Sequence, residues 1–148
     1  MNLKDITPIK ITPVDQLSAW EATSKRVRYC VVKIIQQDVD GLFCGAILKN
    51  AFPDILVFLT NYGHANMKRA ADIIKFNVNR SSKRGIIVVS DLALNSDLDI
   101  NTIEEAAIQS KSKGWDLVWL DHHSWQESIR RRTESIATLQ CLYHRDGI

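Results

Sequence analysis

At 148 residues, with 45% apolar side chains, the chain is long enough to bury the core of one domain and too apolar for disorder. Its 19 basic and 17 acidic side chains leave a net charge of +2, which argues against a dominant polyanionic partner but leaves room for a local basic patch. Cys30, Cys44 and Cys141 are odd in number and form no CxxC pair, so buried thiols in a reducing cytosol are expected rather than a disulfide framework or a zinc knuckle.

Residues 1–27 read as an extended arm, with Pro8 and Pro13, followed by a short helix in VDQLSAWEAT. The arm has no apolar stretch of signal-peptide length, and no run approaches membrane-spanning length, so a cytoplasmic protein without membrane contact is expected. A regular rhythm follows over 28–125. Tyr29 to Ile35 is rich in β-branched residues and predicts a strand; Gly41 to Asn50 predicts a helix; Ile55 to Thr60 a second strand. Ala65 to Phe76 has helical spacing, with Met67, Ala70, Ala71 and Ile74 on one side. Gly85 to Ser90 predicts a third strand, Thr102 to Lys111 a helix capped by Asn101, and Leu117 to Leu120 a fourth strand. Residues 126–148 read as a charged helical tail. Alternating apolar strands and amphipathic helices predict an α/β fold: a doubly wound, mainly parallel sheet with helices on both faces.

The carboxylates fall at informative places. Asp38 and Asp40 follow the first strand, Asp91 follows the third, and Asp121 ends the fourth, with His122 and His123 next. An open parallel sheet binds ligands beyond the carboxyl ends of its strands, so these six side chains are expected at one edge. Clustered carboxylates repel unless a cation neutralises them. Oxygen ligands suit magnesium and manganese, and imidazole shifts the preference toward manganese or another transition metal.

DVDG after the first strand, Asp91 after a later one and the triplet Asp121-His122-His123 together resemble the three motifs of the DHH phosphoesterase family. The resemblance covers about Tyr29 to Trp125. It implies a DHH-type N-terminal catalytic domain that hydrolyses phosphodiester bonds of single-stranded oligonucleotides or small nucleotides with two manganese or magnesium ions. In such a site, water attacks phosphorus in line. By resemblance, Asp38, Asp40, Asp91 and His122 are metal ligands, with Asp91 the bridge. Asp121 is a ligand or an acid that orients an imidazole, and His123 faces the substrate phosphate. Gly41 lets the loop turn tightly as its helix begins.

Two departures shape the expectation. Ile34, Ile35, Gln36 and Gln37 provide no histidine ahead of the Asp pair, which is similar to the RecJ-type exonuclease branch and argues against a pyrophosphatase-like activity. The family's later Asp ligand and its second, substrate-binding domain find no counterpart up to Ile148. A fragment, a short paralogue or half of a split enzyme is therefore expected, with a homodimer or a partner chain supplying the missing domain. The alternative is a DHH-like module that binds replication or repair partners without catalysis. His64 is a further candidate substrate contact, set against a plain loop histidine. Asp97 and Asp99 read as solvated acids near a helix start, Arg130 to Arg132 as a solvated helical face, Trp119 as core and Trp125 as a wall of the site.

Overall fold

The computed structural model describes residues 27–33 and 39–141, and the side chains of 39–139. Within them, strands β1 (Val27–Lys33), β2 (Leu56–Thr60), β3 (Ile86–Ser90), β4 (Asp116–Asp121) and β5 (Thr138–Cys141) alternate with helices α1 (Asp40–Ala51), α2 (His64–Arg80), α3 (Asp97–Ser112) and α4 (Glu127–Ile136). The strands form one sheet in the order β2-β1-β3-β4-β5, and every neighbouring pair is parallel. The chain therefore has an α/β architecture. The predicted arm and its short helix lie outside the described residues, as do 34–38 and 142–148.

The layers follow from the strand order. From β1 the chain steps one way to β2, then crosses back over β1 to β3 and continues through β4 to β5. Right-handed crossovers then require α1 on one face and α2, α3 and α4 on the other. The core divides accordingly. Met67, Ile74 and Val78 of α2, Ile100 and Ile103 of α3 and Ile129 of α4 pack on Ile87, Val89, Leu117 and Trp119. Leu48 of α1 packs with Ile55, Ile86, Val88 and Val118 on the opposite face. Alternate residues of β3 thus face opposite layers, which is why all five of its residues are buried.

Four elements differ from the sequence reading, one of them α2, which runs to Arg80 rather than Phe76. The first strand begins two residues earlier than expected, at Val27, while its expected end at Ile35 lies outside the described residues. α3 starts at Asp97 rather than Thr102, because the Ser96 hydroxyl accepts the Asp99 amide at 3.2 Å and caps the helix, with Asp97 and Asp99 in its first turn. Asn101 is not the cap. The tail is not helical throughout: after α4, Thr138–Cys141 pair with Val118–Asp121 of β4 as a fifth strand. Leu139 packs against the larger core cluster, so burial against that face settles the element.

Ser96→Ala removes the acceptor for an otherwise orphaned helix amide. It should lower stability by about 1 kcal/mol. The expected readout is a lower urea midpoint with an unchanged denaturant slope.

Candidate metal centre

The strand order reverses between β1 and β3, and ligands of open α/β sheets bind at such a point, beyond the carboxyl ends of the strands. Asp91 leaves β3 there. Its φ of 55° is the one positive value on a non-glycine residue among those described. Asp tolerates the left-handed region better than most residues, and backbone strain of this kind collects at functional sites. The Asp91 amide donates to Leu120 O at 2.9 Å, tying the end of β3 to the end of β4, where Asp121, His122 and His123 follow.

Three side chains converge there. His122 Nε2 lies 2.9 Å from Asp91 Oδ1, and His123 Nδ1 lies 3.9 Å from the same oxygen. One donor atom from each of Asp91, His122 and His123 falls within 4.8 Å of the others. The Asp91 side chain is 2% exposed and that of His122 is 54% exposed, so the group has a closed floor and an open mouth. The chemistry fits a divalent cation. His122 Nε2 and Asp91 Oδ1 share a hydrogen bond at 2.9 Å, and with His123 they would offer a cation one carboxylate and two imidazoles. That set suits manganese or a later transition metal better than magnesium.

Asp121 belongs to the next layer. Its side chain is fully buried, and Oδ1 accepts from His123 Nδ1 at 2.7 Å. Oδ2 accepts from Trp125 Nε1 at 2.6 Å and from the His123 amide at 3.2 Å. A carboxylate can only accept, so His123 carries its proton on Nδ1, and Asp121 fixes the orientation of the ring. Trp125 stands edge-on to Trp119 with ring centroids 5.8 Å apart, and Trp119, wholly buried, donates from Nε1 to Leu92 O at 2.6 Å. The core thus holds Trp125, Trp125 helps hold Asp121, and Asp121 holds His123. Tyr62, from the loop after β2, meets the His123 ring edge-on at 6.3 Å.

The remaining candidates divide. Asp40 is the first residue of α1, exposed, and outside the three-residue group. Asp38 lies outside the described residues. Cys44, on α1, is half-buried: desolvation first, then the Asp91 charge, pushes its thiol up, against a hydrogen bond with Ser90 that pulls it down. His64 begins α2, and its Nδ1 lies 3.5 Å from Asp99 Oδ1. Asp99 is buried, not solvated, which corrects the sequence reading, while Asp97 is exposed as expected. The Ser96-x-x-Asp99 spacing was a legible helix-start signal, but burial of Asp99 was not. The basic run pairs with acids: Arg130 and Arg131 with Glu127, and Arg132 with Asp97 and Glu104. That leaves little of it for a nucleic-acid backbone.

Compared with family models, curated proteins and solved structures, the chain matches none. Among the described residues, no helix is long and apolar enough to cross a membrane.

Proposed function

We propose that the chain is a divalent-metal-dependent phosphoesterase of the DHH type, RecJ-like, acting on phosphodiester bonds of single-stranded oligonucleotides or small nucleotides. The observation that carries this reading is the convergence of Asp91, His122 and His123 at the carboxyl ends of β3 and β4, beside the strand-order reversal. Asp91 supplies buried negative charge and His122 a second donor at the mouth. His123, oriented through Nδ1, is the residue proposed to face the substrate phosphate. When bound, a manganese ion supplies Lewis acidity, drawing charge from a phosphoryl oxygen and making an attacking water more acidic. A second ion needs further carboxylates, and Asp38 and Asp40 are the residues proposed to hold it.

Hydrolysis of bis-(4-nitrophenyl) phosphate with added manganese tests the reading. Turnover stimulated by manganese, abolished by EDTA and lost in His122→Ala is expected. No turnover with either manganese or magnesium would sink it.

A second reading, a partner-binding DHH-like module, is favoured by one feature. Leu42, Phe43 and Ile47 of α1 are exposed, together with Val39 immediately before the helix. Such a face suits a second copy of the chain or a partner that supplies a further domain. In that case the hydrolysis assay stays silent, while Phe43→Asp alters the oligomeric state seen by sedimentation.

A further inference from the structure

Exposed apolar surface is concentrated around one edge of the sheet. Nine large apolar side chains are exposed among the described residues, and six of them lie on three consecutive elements: Leu42, Phe43 and Ile47 of α1, Leu56 and Leu59 of β2, and Phe76 of α2. β2 is the end strand of the described sheet and pairs there with β1 alone. Helices flank it on both faces. Val57 packs on the cluster that holds Leu48 of α1. On the other face, Phe58 borders a groove with Ile73 and Phe76 of α2.

A sheet edge presents main-chain donors and acceptors, and proteins that keep an edge bare protect it with charge, proline, a bulge or a very short strand. β2 shows none of these. Leu56–Thr60 contain no charged residue and no proline, and their pairing with β1 runs through five residues without a register shift. Pro53 and Asp54 precede the strand rather than interrupt it. Leu56 and Leu59 stand on opposite faces of the sheet and are 49% and 53% exposed. What completes such an edge is another strand.

β2 is its own complement. Two copies related by a two-fold axis normal to the sheet run antiparallel with like faces aligned, so both α1 helices lie on one side and both α2 helices on the other. The register that pairs all five residues is centred on Phe58. It sets Val57 opposite Leu59 of the second copy, twice by symmetry, and brings no like charges together. Half of the roughly 200 Å² that a large apolar side chain can bury, summed over the six exposed ones, gives about 600 Å² per copy. The total of about 1,200 Å² reaches the range of specific interfaces. We propose that this edge is a homodimer interface, in which β2 of one copy pairs antiparallel with β2 of a second and extends the sheet across the axis. Such a dimer is independent of the phosphoesterase reading. β1 separates the edge from β3 and β4, so pairing leaves the metal group open.

Sedimentation equilibrium of the full chain tests this, with EDTA present so that a metal cannot bridge two copies. A dimer is expected. Leu59→Lys puts a charge on the paired edge at a half-exposed position, so circular dichroism should show the fold unchanged. Its effect counts twice by symmetry and should weaken dimerisation about tenfold or more. Phe58→Cys sets two thiols across the axis, with Cα atoms about 4.5 to 5.5 Å apart and within reach of a disulfide. Mild oxidation should give a covalent dimer that the wild type, with its own three cysteines, does not give. Phe43→Asp should weaken the dimer less than Leu59→Lys. A chain that stays monomeric at every concentration, a dimer that survives Leu59→Lys, or a Phe58→Cys protein that fails to cross-link overturns the edge pairing. A dimer dissolved by Phe43→Asp but not by Leu59→Lys also overturns it, and assigns the contact to the outer face of α1.

Discussion

Replacing Asp91 should cost more metal affinity than any other single substitution. It is the one carboxylate among the three converging donors, and it lies on the closed floor of the group. Outer partners of a metal ligand are themselves worth about 10- to 100-fold in affinity, so loss of the direct carboxylate ligand should exceed about 100-fold. The choice of replacement matters. Asp91 adopts a positive φ, and alanine in that region costs about 1 to 2 kcal/mol, so Asp91→Ala mixes a metal effect with a folding effect. Asn tolerates the conformation, keeps the shape and removes only the charge. Asp91→Asn should therefore fold as well as the wild type, or better in the absence of metal, since one buried charge has gone. Calorimetric titration of manganese into both proteins checks this. Equal affinity would remove Asp91 from the site and with it the main support for the phosphoesterase reading.

Much of this site was legible because strand ends are legible. The IIVVS run suits a strand buried on both faces, so the residue after it was expected at the carboxyl edge. The same logic placed Asp121, His122 and His123. What the sequence left open were relations that depend on packing between distant elements. Whether Asp121 holds a metal or an imidazole depends on Trp125 Nε1 and the His123 amide reaching its second oxygen, and no spacing rule encodes that. Asp99 looked like a loop acid because Asn95 to Asn101 is polar. Its burial arises from α3 lying against α2, which also brings His64 to it. The fifth strand escaped notice for a related reason: Thr138–Cys141 is too short to announce itself and becomes a strand because β4 offers a free edge. Conversely, the Arg130 to Arg132 run looked like one feature and divides in two: Arg130 and Arg131 share Glu127 within α4, while Arg132 reaches Asp97 and Glu104 of α3.

The role of Asp121 gives the second large effect, and its size discriminates between the two roles the sequence left open. As an orienting acid, Asp121 accepts hydrogen bonds from His123 Nδ1, Trp125 Nε1 and the His123 amide, which occupies both oxygens. Asp121→Ala would leave buried donors unsatisfied at about 1 to 3 kcal/mol each, so unfolding should shift measurably even without metal. Manganese affinity should fall about 10- to 100-fold, because His123 loses its tautomer and its orientation rather than its presence. Were Asp121 instead a direct ligand, its loss should match that of Asp91→Asn. Trp125→Phe separates the contributions further. It keeps the ring against Trp119 and deletes only the bond to Oδ2, so a small loss in stability and little change in metal affinity are expected. A double-mutant cycle between the two positions then isolates the coupling of Trp125 to the acid. Strong coupling in stability with weak coupling in metal binding would mean that the tryptophan holds the carboxylate in place for the fold, while the carboxylate holds His123 for the metal.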